Sequence, residues 1–364
     1  MKKKLKDICK ITSGQSAPQN VSDYIENGKT FIKVSNLDDI IADDNENRAC
    51  KISDEAIEKG KLKLFPANTV IFAKSGLSCV KNRVYVTKEP AYLVNHFCCL
   101  YDFDENIMTK WFAYFLRAYN VTNLIKDYAY PSIPIKEIGQ IYVSITPLAE
   151  QQKIAAELDT IQSAIDNKKQ QLALLDEAVK SEFVEMFGEN PTENGKWKVE
   201  KWENIFNTTT GKLDSNAMVE NGQYPFFTCA KEIFAIDHYA FDQEALLLAG
   251  NNAAGKYDVK YYKGKFNAYQ RTYVLSLKED WSYRLFQFQL EDKLLYLKEQ
   301  SKGINTKFLT LKILQELEFI IPPKELQLKF ETFVQKIDKS KSLVKQQIAD
   351  LQELLDSKMQ KYFG

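Results

Sequence analysis

Residues 146–188 read TPLAEQQKIAAELDTIQSAIDNKKQQLALLDEAVKSEFVEMFG, and the rest of the chain is interpreted from them. After Pro147 the stretch contains no further proline or internal glycine, only residues that favour a helix. Its apolar positions, Ile154, Leu158, Ile161, Ile165, Leu172, Leu175 and Val179, fall at alternating three- and four-residue steps. Such spacing predicts one narrow seam along a long helix. The C-terminal stretch 322–364 has the same design, with Phe330, Val334, Ile337, Val344, Ile348, Leu351 and Leu355. A shift of 176 positions superposes the two seams. Pro147, Gln151, Lys153, Ile161, Lys169, Gln170, Gln171, Ala173, Leu175, Glu177, Ser181, Phe187 and Gly188 then recur as identical residues. Two seam positions are exchanged, Lys341 answering Ile165 and Lys168 answering Val344. This is an internal repeat, so the fold has to be read as a duplication.

A helix of about 38 residues is roughly 57 Å long, and an apolar seam of that length must be covered. The strict repeat is narrower than the stripe of a helix lying on a globular surface. The predicted partner of each helix is therefore the other helix, antiparallel, with a globular domain at each end of the pair.

Both remaining segments mix strand-like and helix-like runs. In the first, β-branched and aromatic runs lie at 30–34, 69–73, 83–87 and 97–101. Thr109 is a candidate cap for a helix over 110–119, and a strand-like run, 141–145, leads into the long helix. In the second, 202–211 ends in Thr-Thr-Gly as 8–14 ends in Thr-Ser-Gly. Strand-like runs follow at 245–249, 259–262 and 272–277, then a helix led by Asp280 and Trp281 to about Glu299. The run 318–321 enters the second long helix, and the breaker-rich stretch 188–195 is the one clear linker. The predicted fold is α+β: two mixed α/β domains, 1–145 and 189–321, in a tandem pseudo-two-fold repeat. They are separated by two long helices, 146–188 and 322–364, forming an antiparallel coiled coil.

The chain of 364 residues carries 49 Lys and Arg against 49 Asp and Glu, so no global field points to a polyanion and any such binding must come from local patches. Six cysteines without C-x-x-C spacing and only two histidines, His96 and His238, argue against a zinc site and for reduced thiols in a cytoplasmic protein. Met1 and three lysines precede no apolar run of the kind a signal peptide needs, and no membrane span is expected.

Catalytic constellations are poorly supported. Gly250-Asn-Asn-Ala-Ala-Gly-Lys256 approximates a phosphate loop, but Tyr257 stands where a small hydroxyl is needed and the following run is strand-like. Asp258-Val-Lys260 has a nuclease-like local spacing without an upstream acidic partner. There is no glycine-rich methyl-donor loop with an Asn/Asp-Pro-Pro-aromatic motif, and no G-x-S-x-G. What recurs in both halves is basic, turn-rich sequence. Residues 74–88 hold Lys74, Lys81, Arg83 and Lys88 with no acid before Glu89. Residues 249–272 hold Lys256, Lys260, Lys263, Lys265 and Arg271 among tyrosines, with Asp258 the only acid. Loops of this composition suit phosphates and base edges.

These features together resemble the specificity (S) subunit of a type I restriction–modification enzyme. The resemblance is carried by Ile145-Thr-Pro-Leu-Ala-Glu-Gln-Gln-Lys-Ile154 and Phe319-Ile-Ile-Pro-Pro-Lys324 entering the long helices, and by the helix ends Phe187-Gly188 and Phe363-Gly364. It is carried too by the turns Thr12-Ser-Gly14 and Thr209-Thr-Gly211, by Phe266-Asn-Ala-Tyr-Gln-Arg-Thr272 and by Val94-Asn-His-Phe97. It covers essentially the whole chain, although Pro323-Lys-Glu-Leu-Gln327 is a degenerate copy of Pro147-Leu-Ala-Glu-Gln151. The resemblance implies a non-catalytic subunit that reads a bipartite, asymmetric site in double-stranded DNA, one half-site per target-recognition domain. It also implies two modification (methyltransferase) subunits and restriction subunits as partners, with S-adenosylmethionine, ATP and Mg on those partners and no cofactor here. Expected DNA contacts are Lys74, Ser75, Lys81, Asn82 and Arg83 in the first domain. In the second they are Lys212, Asn251, Asn252, Lys256, Gln270 and Arg271. Lys168, Lys169, Gln170, Gln171, Lys345, Gln346 and Gln347 are expected to face the modification subunits. The alternative is a coiled-coil adaptor with two ligand-binding domains and no DNA role.

Overall fold

The repeated stretches are two helices of 40 residues each, Leu148–Phe187 and Lys324–Phe363, in a computed structural model that describes residues 1–253, 255–303 and 306–364, with Asp43 described for its backbone alone. Gly188, at φ +99°, ends the first helix in the left-handed conformation that glycine adopts without steric cost. The chain forms two compact units, Met1–Gln171 with Val344–Gly364, and Leu172–Leu343, so each unit takes a part of both long helices.

In the first unit an antiparallel sheet runs in the order Lys10–Ser13, Phe97–Tyr101, Val70–Ala73, Val84–Val86. A smaller sheet of Cys50–Ile52, Tyr24–Ile32 and Tyr92–Leu93 shares a second apolar core with Ile71, Tyr85, Phe97 and Cys99 of the larger one. The strand Lys2–Lys4 pairs antiparallel with Tyr142–Ser144, tying the start of the domain to the point where the first long helix begins. The two long helices run antiparallel here. Glu157, early in the first, accepts from Lys358 Nζ and from Tyr362 Oη of the second, each at 2.5 Å.

The expectation that the seam is covered by the other helix alone needs correction. Ile154, Leu158, Ile161 and Ile165 lie in one core with Leu355 and also with the helix Thr109–Tyr119. Trp111 and Phe115 of that helix meet Phe363 at ring distances of 5.7 and 6.1 Å. The narrow seam records helix–helix contact, while flanking positions such as the fully buried Ala155 are left to meet the domain.

In the second unit six strands run in the order Phe206–Thr210, Thr272–Leu277, Phe241–Ala249, Val259–Ala268, Tyr224–Phe227, Phe234–Ile236. Lys198–Lys201 pairs with Glu318–Ile321, the counterpart of the terminal ribbon in the first unit. The long helices are again antiparallel: Phe183 meets Phe330 edge to face at 5.7 Å and Asp176 pairs with Lys341 at 2.6 Å. Lys341, the residue that breaks the repeat opposite Ile165, is therefore neutralised rather than stranded.

Two helix starts differ from their predicted caps. Thr109 is the first residue of its helix and Met108 the cap, without a side-chain cap bond. The later helix starts at Tyr283, capped by Ser282, and breaks at Lys293 into Tyr283–Asp292 and Leu294–Gln300. At both places a repeated glutamine from the long helix completes the cap. Gln151 Oε1 accepts from the Met108 amide at 2.8 Å, and its Nε2 donates to the carbonyls of Asn106 and Thr146. Gln327 Oε1 accepts from the Ser282 amide at 3.0 Å, and its Nε2 donates to the Pro322 carbonyl. Both amides are buried and satisfied, so they lock the start of each long helix to its domain.

Candidate nucleic-acid interface

The same backbone frame recurs at one edge of each globular domain, around the two glycines that end the Thr-Ser-Gly and Thr-Thr-Gly turns. A Cβ on Gly14 would lie 2.2 Å from the Val94 carbonyl oxygen, and one on Gly211 would lie 1.8 Å from that of Ala268. Only glycine allows either approach. Beyond them Gln15 bridges Val94 and Leu213 bridges Tyr269, both parallel. The Asn95 amide donates to Gln15 at 2.8 Å and the Gln270 amide to Leu213 at 2.9 Å. The Lys74 amide donates to the His96 carbonyl at 2.8 Å and the Gly250 amide to the Arg271 carbonyl at 2.9 Å. Finally Ile133 donates to Lys74, and Leu309 to Gly250, each at 2.8 Å.

These bonds equate Asn95 with Gln270, His96 with Arg271, Lys74 with Gly250 and Ser75 with Asn251. Lys212 is an extra residue between Gly211 and Leu213, with no counterpart between Gly14 and Gln15. Asn95 and His96 are absent from the sequence-derived set of contacts. The sign that pointed to them was Val94-Asn-His-Phe97, matched in position by Tyr269-Gln-Arg-Thr272.

In the first domain, then, Lys74 and Ser75 sit on this frame, and Ser75 Oγ shares a hydrogen bond of 2.7 Å with His96 Nδ1. Further along, Lys81 ends the short 3₁₀ helix Leu77–Lys81, and Asn82 and Arg83 follow it. Lys81 pairs with Asp38 at 3.3 Å, and Arg83, whose side chain is 13% exposed, pairs with the same carboxylate. Burial alone would raise the Asp38 carboxyl, but the hydrogen bonds and charges of Arg83 and Lys81 outweigh it and hold it below the usual carboxylate range. Asn82, at φ +44°, donates to the Arg117 carbonyl at 2.9 Å. These three residues are anchored in the wall of the domain as well as facing solvent.

In the second domain all six expected contacts gather in one loop cluster. Gln270 and Arg271 are exposed on a turn whose backbone is held by Leu213, Gly250 and the Cys229 thiol, which donates to the Arg271 carbonyl at 3.3 Å. Asn251–Asn252 forms a short antiparallel pair with Lys307–Phe308, and the Lys256 amide donates to Asn252 Oδ1 at 3.1 Å. Ala254, within the phosphate-loop-like run, lies outside the described residues. Downstream of that run comes strand Val259–Ala268 rather than a helix. Lys260 of the nuclease-like triplet is tied to Asp258 and to the Ala230 carbonyl.

On the long helices Lys169, Gln170, Gln171, Lys345 and Gln346 are exposed, and Lys168 and Gln347 half-buried. Three of them make local bonds: Lys168 to Gln171 at 3.2 Å, Lys169 to Asp166 at 3.8 Å, Gln346 to Asp350 at 2.8 Å. Among the described residues no group of three or more His, Cys, Asp and Glu is placed to hold a metal, and no helix is long and apolar enough to cross a membrane.

A family model described as "Type I restriction modification DNA specificity domain" matches residues 1–177 and 194–353. The type I restriction enzyme EcoDI specificity subunit of Escherichia coli is 36% identical over 157 residues, covering 41% of this chain and 34% of that protein. The MjaIX specificity subunit of Methanocaldococcus jannaschii is 28% identical over 179 residues, covering 48% and 40%. The matches thus span well under half the length of these curated relatives. A crystal structure of a type I restriction–modification S subunit from M. genitalium aligns over 100% of this chain and 96% of its own, with a TM-score of 0.59 and 15% identity. At that identity the likeness is one of fold.

Proposed function

We propose that this chain, which belongs to the type I restriction–modification DNA specificity family, is a non-catalytic subunit that reads a bipartite, asymmetric sequence in duplex DNA, one short half-site per globular domain. The observation that carries this reading is the duplicated frame at Gly14 and Gly211. Matching backbone bonds present different residues at equivalent places: Lys74, Ser75, Asn95 and His96 in one domain, Gly250, Asn251, Gln270 and Arg271 in the other. Amide, imidazole and guanidinium groups suit base edges, and lysines suit phosphates. Two frames with unlike side chains suit two unlike half-sites, hence a site without palindromic symmetry. Lys81, Asn82, Arg83, Lys212, Asn252 and Lys256 complete the proposed contacts.

The long helices, shared by both units, are proposed to set the unspecified gap, with half-site centres about one helical turn apart, roughly 34 Å or 10 bp. Their exposed Lys168–Gln171 and Lys345–Gln347 faces are proposed to receive two modification subunits. Those would supply S-adenosylmethionine and bring ATP- and Mg-dependent restriction subunits. The test is selection of bound duplexes from a random pool by the chain assembled with a modification subunit. A two-part, non-palindromic consensus is expected; a pool that stays random would leave the adaptor reading in its place.

A further inference from the structure

Beside the frame of the second domain lies a concentration of positive charge that the linear sequence scatters over some fifty positions. Gly255, buried and at φ +65°, is wedged between two lysine stems: a Cβ there would lie 3.1 Å from Lys298 Cγ and 3.5 Å from Lys307 Cγ. Lys256 is the next residue, exposed, its amide held by Asn252. Asn252 is itself the strand partner of Lys307, and Lys302 is bonded through its backbone to Phe308, Lys307's neighbour.

Among the described residues none of Lys256, Lys298, Lys302 and Lys307 makes an ion pair. The neighbouring acid Asp258 is occupied by Lys260. Glu299 follows Lys298 on the helix Leu294–Gln300, where adjacent residues do not face each other. Lysines gathered without an ion-pair partner are suited to a polyanion. In the first domain the residues equivalent to Phe308 and Lys307 are Ser132 and Pro131, neither of them charged.

We infer that Lys256, Lys298 and Lys307, with Lys302 at the rim, form a cradle for the DNA phosphate backbone, placing Gln270 and Arg271 over the bases. The inference rests on the proposed function and sorts its contacts into those that position and those that read. It adds Lys298 and Lys307, which are far from the glycine loop in sequence.

Because phosphate contacts ignore sequence, the test needs no knowledge of the target. The full chain is titrated against a fluorescent mixed-sequence duplex over a salt series, as wild type, as K256Q/K298Q/K307Q and as the corresponding triple arginine variant. For each lysine removed, the slope of log affinity against log salt should become shallower by about 0.9. The arginine variant should keep the wild-type slope. A triple glutamine variant with the wild-type melting profile and an unchanged slope would overturn the cradle, as would a wild type that shows no salt-dependent binding. Sequence selection by the assembled complex is a separate readout: a consensus kept alongside an unchanged slope refutes the cradle and leaves the proposed function standing.

Discussion

Single side chains do two distinct jobs in this molecule, holding the frame and presenting chemistry on it. Gln151 and Gln327 belong to the first kind. Replacing either with leucine strands a helix-cap amide, together with two carbonyls at Gln151 and one at Gln327, and should cost about 1–3 kcal/mol in chemical denaturation. Alanine at the exposed Gln170 should change stability by no more than about 0.5 kcal/mol. Arg271 and His96 belong to the second kind. Arg271→Ala should weaken specific binding by about 1–3 kcal/mol and relax only the half-site read by the second domain, while His96→Ala relaxes only the other. Competition with duplexes altered in one half-site measures both.

The thiols give a check on burial. Burial pushes Cys9 and Cys99 up to about 12 and Cys98 well above its ordinary value, whereas Cys50 and Cys229 are half-exposed. Since the thiolate is the reacting form, a thiol reagent at mildly alkaline pH should label Cys50 and Cys229 in the native chain and the rest only on unfolding. What the sequence concealed at this level was the residue-by-residue match between the two domains. The sequence placed the runs Val94–Phe97 and Phe266–Thr272 at corresponding positions, but His96 and Arg271 share no residue type, and the backbone bonds around them are what match them residue for residue.

Helices and strands were legible in proportion to their periodicity. The seams of the long helices emerge as expected, every residue from Ile154 to Val179 and from Phe330 to Leu355 in those seams being buried or half-buried. Strands Tyr224–Phe227 and Phe234–Ile236 were not foreseen, because runs of three or four residues carry too little alternation. The second purpose of the long helices, packing on Trp111, Phe115 and Phe288, was hidden as well: a repeat shows which residues recur, not which neighbour they meet. The exchange of Ile165 and Lys341 makes this testable. Ile165 is buried in the apolar core, whereas Lys341 has Asp176. Ile165→Lys should therefore destabilise the chain by about 3 kcal/mol or more, although its repeat partner carries that residue natively. A melting series of I165K against I165L decides it.

For the whole molecule, a formal charge of zero gives no sign of a polyanion, yet lysines from separate segments gather beside one frame once the chain is folded. The duplication, by contrast, was plain in the sequence. It accounts for two frames, two terminal ribbons and two long antiparallel helices threading both units. The central claim is that these helices set the distance between two independent half-sites. Adding one heptad to each helix at matching positions, then selecting bound duplexes with the assembled complex, tests it most directly. The account predicts the same two half-sites separated by a longer gap. Altered half-sites, or an unaltered gap, would contradict it.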